Sequence, residues 1–204
     1  MNEILLAHKG HPELDMPSIK GMYELRHAVF HDRLGWDVTS DNGMEYDIFD
    51  QANPTYVLVK DKYKGDIKGC WRLLPSTGPY MLKDTFPQLL HGQAAPQKET
   101  IWELSRFALA RSSHEVPVFG LGEISVWMLQ TVVQFALQNN IERYITVTTV
   151  AIERLMNKLG LNIHRFGPPI RIGNVMTVAC WFYIDRHTEA VALGQIPRTA
   201  KRAA

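Results

Sequence analysis

The chain has 204 residues, 46% of them hydrophobic and 21% charged, with 22 Lys plus Arg against 21 Asp plus Glu. That length suits one well-packed domain rather than two, and a formal net charge of +1 gives no overall attraction to nucleic acid or to a membrane surface. No apolar run approaches the ~18 residues of a membrane span, and the N-terminus lacks a basic-then-apolar leader, so a cytoplasmic protein is expected.

Residues 17 to about 34 read as a helix, with Pro17 in its first turn and Ile19, Met22, Leu25 and Val29 at three- and four-residue spacing. Gly35-Trp36 ends it, and 37–54 reads as a polar, acidic connector with turn signals at Asn42-Gly43 and Asn53-Pro54. So long an irregular stretch suggests a functional lid, and 19–54 is expected to be a helix plus a mobile lid. Strands are predicted over 55–60 and 67–74 with a turn near Lys64-Gly65-Asp66, then loop and short helix from 75 to 96. A central strand covers 101–109, and a helix over about 123–139 carries a core stripe at Ile124, Trp127, Met128, Val132 and Phe135. A strand at 143–149, a helix at 152–159 stopped by Gly160, and a strand at 175–184 complete the sheet. The tail from 186 to 204 is weakly patterned. This order predicts a single α/β domain over 1–204, an α-β-α sandwich around a mixed, largely antiparallel twisted sheet.

The charges are unevenly spread. Six acids between Asp32 and Asp50 face one base, Arg33, whereas from Ala151 onward Arg154, Lys158, Arg165, Arg171, Arg186, Arg198, Lys201 and Arg202 outnumber three acids. An acidic front suits a cationic small ligand, and a basic back suits an acidic partner. Cys70 and Cys180 sit in apolar runs and read as free buried thiols of a reducing compartment. The eight histidines are scattered, so no metal site is indicated.

The central run Ile101 to Leu109 places large apolar groups at 102, 104, 107 and 109, which strict two-residue alternation cannot put on one face. Such a run suits a strand buried on both sides, and it carries Glu103 and Arg106 into those surroundings. A buried carboxylate or guanidinium must be paired or used. Arg72, inside the apolar Gly69-Cys70-Trp71-Arg72-Leu73-Leu74, also needs a carboxylate, and Glu103 is the expected partner. Phe30, Trp36, Phe49, Trp71, Phe86 and Trp102 lie close in sequence to these charges.

The residues Leu25-Arg26, Val29-Phe30, Gly35-Trp36, Glu45-Tyr46-Asp47 with Asp50, Gly69 to Leu74, Gly78-Pro79-Tyr80-Met81-Leu82, Asp84-Thr85-Phe86-Pro87 and Trp102 to Phe107 together resemble the acyl-homoserine-lactone synthase family. These are the autoinducer synthases of bacterial quorum sensing. The likeness runs in one register from about 20 to 183, includes Thr146 to Thr149 and Gly167-Pro168-Pro169, and looks closest to the branch making longer-chain signals. It implies a fold related to the N-acetyltransferases and a two-step reaction: acyl transfer from an acyl carrier protein to the amine of S-adenosylmethionine, then lactone closure with loss of methylthioadenosine. S-adenosylmethionine and the acyl-phosphopantetheine are substrates, and no cofactor is implied. Carried over, the functional set falls on Arg26, Phe30, Trp36, Asp47, Asp50, Arg72, Phe86, Glu103 and Arg106.

Within that resemblance Glu103 is the first choice as base for the amine, with ion pairing to Arg72 or Arg106 as the alternative, and Arg106, Asp47, Asp50 and Arg72 complete the expected catalytic group. For S-adenosylmethionine binding, Asp47 and Asp50 are expected to orient the cation, Arg26 to hold its carboxylate, Phe30, Trp36 and Phe86 to shape the site, and Arg106 to join them. An acyl tunnel is expected at Met81, Leu104, Trp127, Met128, Leu129, Thr146, Thr148, Leu155 and Leu159. The family associates a threonine near Thr148 with 3-oxo chains, although Thr146 and Thr148 are equally ordinary strand residues. Phe119-Gly120-Leu121-Gly122 opens the 123–139 helix but has Pro117 where a coenzyme A loop usually carries Arg or Gln, which favours a carrier protein. Arg154, Lys158, Arg165 and Arg171 are the expected docking patch for that acidic carrier. An acyl-coenzyme A-dependent synthase, a general N-acyltransferase and a non-catalytic acyl-binding module are the alternatives.

Overall fold

The computed structural model describes residues 1–111 and 122–195. An eight-stranded sheet runs in the order β1 (Asn2–His8), β4 (Thr55–Asp61), β5 (Ile67–Pro75), β6 (Ile101–Leu109), β7 (Arg143–Thr149), β10 (Val175–Tyr183) and β8 (His164–Arg165), with β9 (Ile170–Ile172) also on β10. Every pairing is antiparallel except β6 with β7. This is the mixed, largely antiparallel α/β sheet that the alternation of elements predicts.

On one face α1 (Met16–Arg26) is started by Asp15, whose carboxylate accepts from the Ser18 amide at 2.8 Å, with Pro17 in the first turn. The helix then widens into a π-helical turn, His27–Arg33, before Gly35 stops it at φ +60°. Such widened turns are rare and concentrate at functional sites. The 37–54 connector is more ordered than its sequence suggests. It holds a hairpin of β2 (Ser40–Asp41) and β3 (Met44–Glu45) around Asn42-Gly43, and a 3₁₀ turn, Ile48–Gln51, closed by reciprocal capping of Asp47 and Asp50. A short helix α2 (Met81–Asp84) covers the same side. On the other face lie α3 (Glu123–Gln138), α4 (Val150–Lys158) and α5 (Arg186–Ala192). Strand β1 and helix α5 were not expected from the sequence; α5 lies in the tail that reads as weakly patterned over 186–204.

The conflict in the 101–109 pattern has a structural answer. Trp102, Leu104, Phe107 and Leu109 all pack into the one apolar cluster beneath α3 and α4. A bulge makes this possible: the register with β5 shifts between Cys70 and Arg72, and Arg106 takes a left-handed φ of +58°. One inserted residue flips the parity of everything after it. Ala108 accordingly packs under α1 and Ile101 beneath α2. The left-handed conformation costs a non-glycine residue about 1–2 kcal/mol, which the contacts of the Arg106 side chain offset.

Candidate active site

The bulge delivers Arg106 into a buried ionic lattice on the α1 face. Three guanidiniums, Arg26, Arg72 and Arg106, meet three carboxylates, Glu45, Asp47 and Asp50. Arg26 grips Asp50 bidentately at 2.8 and 3.0 Å and Glu45 at 2.5 Å. Arg72 grips Asp47 bidentately at 2.5 and 3.0 Å, reaches Asp50 at 2.9 Å, and donates to the Ser105 hydroxyl at 3.1 Å. Arg106 donates to Glu45 at 2.8 and 3.1 Å and to Asp47 at 3.0 Å. Tyr56 adds its hydroxyl to Asp50 at 2.6 Å. Burial alone would raise the Asp50 carboxyl; Arg26 and then Arg72 overcome it and hold that group well below its ordinary value. Burial lowers Arg106, with Glu45 opposing. The charges balance, and each is hydrogen-bonded, which is the condition for burying them.

Three expectations need correcting. Asp47 and Asp50, expected to orient the cation, give their oxygens to Arg72, Arg26 and Arg106 and do not line the cavity. Arg26 is fully buried, with its fork filled by Asp50 and its Nε on Glu45, and it does not line the cavity, so it has no free edge for a substrate carboxylate; Arg33 and Arg106 are the guanidiniums that line the cavity. Glu103 does not pair with Arg72 or Arg106. Its two oxygens accept from the backbone amides of Met81 and Leu82 at 2.9 and 2.7 Å. Burial raises its pKa to about 7, against the lowering effect of those amides and, more weakly, of Arg72 and Arg106. Arg72 finds Asp47 instead because β5 and the capped 3₁₀ turn face each other.

The cavity, of about 260 Å³, runs from one face of the sheet to the other. Its α1-side walls are Val29, Phe30, Arg33, Leu34, Trp36, Met81, Phe86 and Arg106; Phe30 and Trp36 stack at 5.4 Å, Trp36 and Phe86 lie 6.2 Å apart, and the Arg106 guanidinium sits 5.0 Å from the Phe30 ring. The passage exists because β6 and β7 pair only from Ile101 to Leu104, and β7 then runs on to Thr149 apart from β6. Beyond it the walls include Leu104, Phe107, Leu129, Thr146, Thr148, Ile152, Leu155, Met156 and Leu159. Seven of the nine expected tunnel residues line it; Trp127 and Met128 do not, since Met128 is turned onto the backbone of Gly69.

Sequence reasoning gave no site role to Glu45, Tyr56, Trp71, Ser105 or Ser125, although Glu45 and Trp71 stand in the motifs quoted above. Glu45 looks like its exposed neighbour Asp41 until folding buries it; Ser105, a hydroxyl between Leu104 and Arg106, was the one available signal. Trp36 Nε1, Trp71 Nε1 and Ser125 Oγ are buried without a hydrogen-bond partner, each costing about 1–3 kcal/mol if left unmet.

Elsewhere, Cys70 and Cys180 are free and buried, as expected. The histidines are less scattered than they looked: His27, His31 and Asp32 bring ligand atoms within 4.8 Å of one another on the π-helical turn, but His27 already meets Ser40 at 2.5 Å and His31 meets Asp32 at 2.8 Å. All four residues of the basic patch, Arg154, Lys158, Arg165 and Arg171, are exposed, and Arg165 is also clamped by Glu153 at 2.6 Å through two bonds. Phe119, Gly120 and Leu121, with Pro117, and the bases Arg198, Lys201 and Arg202 lie outside the described residues. No helix among the described residues is long and apolar enough to cross a membrane.

The sequence matches the family model for autoinducer synthases over residues 11–191. It is 40% identical over 185 residues to an acyl-homoserine-lactone synthase of Pseudomonas aeruginosa, covering 90% of this chain and 91% of that one. The crystal structure of the AHL synthase LasI superposes with a TM-score of 0.85 at 37% identity, covering 95% of each chain. TofI, in a ternary complex with an inhibitor and MTA, gives 0.76 at 35% identity, covering 93% of this chain and 96% of its own. A chain described as an N-acetyltransferase from Lactobacillus plantarum gives 0.59 at 13% identity over 90% of this chain and 99% of its own, a likeness of fold alone.

Proposed function

Because the chain belongs to the autoinducer synthase family and is an acyl-homoserine-lactone synthase, we propose that it takes a fatty acyl group from acyl carrier protein, joins it to the amine of S-adenosylmethionine, and closes the lactone. The observation that carries this reading is the cavity that opens beside Arg106, Phe30, Trp36 and Phe86 and continues through the parted strands into an apolar chamber. One end suits a charged, cationic amine and the other a fatty chain, and the thioester carbon falls between them.

In this reading the amine first loses a proton, and Glu103 accepts it through a water molecule, because the Glu103 carboxylate is buried against the Met81 and Leu82 amides and does not itself line the cavity. A carboxyl near pKa 7 is matched to that task. The nitrogen then attacks the thioester carbonyl, the new C–N bond forms as the C–S bond breaks, and the carrier thiol leaves with a proton. In the second step the substrate carboxylate, held by Arg106, attacks the carbon beside the sulfonium. That C–S bond breaks and neutral methylthioadenosine departs. Asp47 and Asp50 act by fixing Arg72, Arg26 and Arg106, and the aromatic faces of Phe30, Trp36 and Phe86 hold the sulfonium. The carrier protein docks on the exposed Arg154, Lys158 and Arg171. A chamber this deep in apolar groups supports assignment to the longer-chain branch.

The test is direct. The protein is incubated with S-adenosylmethionine and matched acyl donors on carrier protein or coenzyme A, and lactone and methylthioadenosine are followed by mass spectrometry. Equal stoichiometric release of both products, faster from the carrier, is expected; preference for coenzyme A would transfer the donor role to it.

A further inference from the structure

Strands β9 and β10 are joined by two residues only, Gly173 and Asn174, since Ile172 pairs directly with Val175. Gly173 takes a left-handed φ of +56° in the first of those positions, the geometry a tight hairpin needs. Its bare α-carbon has a second use. A Cβ at Gly173 would lie 3.0 Å from the Gly35 carbonyl oxygen and 3.5 Å from Trp36 Cδ1. A Cβ at Gly35, itself at φ +60°, would lie 2.5 Å from Asn174 Nδ2. Such contact does not come with every tight turn: Gly10, Gly43, Gly92 and Gly194 are also left-handed and would meet nothing within 4 Å. The hairpin tip is therefore seated on the turn that follows the π-helical segment, and on the edge of an indole that walls the charged end of the cavity.

That indole is otherwise held by rings. Phe30 stacks on it with centroids 5.4 Å apart, Phe86 lies tilted at 6.2 Å, and its N–H, one bond from Cδ1, has no hydrogen-bond partner. Ring pairs tolerate a range of offsets, so they fix the orientation of the indole loosely. The backbone of Gly173 closes the remaining edge. The tip is itself anchored: Ile172 packs with the cluster that holds Phe86, Val175 packs with the cluster of Phe30 and Trp36, and β10 continues along β7, whose Thr146 to Thr149 line the chamber. We propose that Gly173 is a positioning residue for the S-adenosylmethionine end of the reaction: by carrying no side chain it lets the hairpin tip seat on Gly35 and fix the ring of Trp36. The Gly35 carbonyl belongs to the peptide leading into Trp36, so pushing it away passes directly to that ring. The inference rests on the assignment of this end of the cavity to S-adenosylmethionine.

The test measures S-adenosylmethionine binding by calorimetry without an acyl donor, and steady-state kinetics with each substrate varied in turn. Gly173→Ala is expected to weaken S-adenosylmethionine binding and raise its KM about tenfold, while kcat and the KM for the acyl-carrier donor stay within about twofold. Loss of folded protein alone would lower kcat and leave both KM values in place. Gly173→Asn tolerates a left-handed backbone but still carries the Cβ, so it separates crowding from strain and should weaken binding as Gly173→Ala does. Gly173→Ala should also change the near-ultraviolet circular dichroism, and that change should vanish when Trp36 is replaced in Trp36→Phe, because it originates in that indole. Wild-type affinity in Gly173→Ala or Gly173→Asn overturns the assignment, as does a spectral change that persists without Trp36. A wild type that binds no S-adenosylmethionine overturns instead the reading of the cavity itself, an outcome distinct from binding that Gly173 does not influence.

Discussion

The two faces of β6 carry opposite chemistry on one nine-residue strand. Toward α1 it presents Ser105 and Arg106 to a lattice of charges and Glu103 to the backbone amides of Met81 and Leu82; toward α3 it presents Trp102, Leu104, Phe107 and Leu109 to apolar walls. The contrast lies in how each side is stabilised. The charged side depends on completeness, because a guanidinium that loses its carboxylate stays buried and unpaired. The apolar side depends on area and shape, which yield gradually as atoms are removed or added.

Breaking the charged side should therefore have the largest effect. Glu45 serves both Arg26 and Arg106, and Glu45→Ala is expected to lower unfolding free energy in urea by about 3–5 kcal/mol. A loss below about 1 kcal/mol would erase the distinction between the two faces. Next comes Glu103→Gln, expected to cut kcat about 100-fold or more. In the wild type the rate should climb as pH rises through about 7, where Glu103 ionises, and the variant should lack that limb. A purely structural role would leave the pH profile in place. The linked stability has the opposite slope. A carboxyl raised from 4.5 to about 7 contributes stability that is full below 4.5 and is lost as pH rises through 7; the Gln variant should show no such decline.

On the apolar side, Gly69→Ala places a Cβ 2.9 Å from Met128 Sδ and 3.1 Å from Leu109. Because Met128 is flexible, the expected cost is about 1 kcal/mol, read as a lowered denaturation midpoint, and a loss as large as that of Glu45→Ala would break the comparison. The smallest effect belongs to neither face. Arg154→Glu on the exposed patch should leave stability within about 0.5 kcal/mol while raising the KM for the carrier substrate several-fold, and rising salt should shrink that difference. An unchanged KM at low salt would remove the patch as the docking surface.

Much of the fold was legible because local periodicity marks it. The strands at 55–61, 67–75, 101–109, 143–149 and 175–183 and the helices near 123–138 and 150–158 all carry their own apolar pattern and stop signals. β1 escaped notice because, as an edge strand, it buries only Ala7 among seven residues and has no alternation to read. α5 escaped because it is short, although Asp185, which caps it through the Thr188 amide, was the available signal. Trp127 and Met128 were placed in the tunnel from an apolar stripe that is real but wider than the cavity it borders.

What the sequence settled alone was that charged groups enter buried strands and that the 101–109 run cannot obey simple alternation. Both follow from side-chain type and spacing, which are local. What only the tertiary structure decided was who meets whom. Arg26 and Glu45 lie 19 residues apart, Arg72 and Asp47 lie 25 apart, and Glu45 and Arg106 lie 61 apart. No spacing rule reaches that far: the partner of a buried charge is fixed by which strands pair and where a bulge turns the chain, and those are settled by packing the whole core at once.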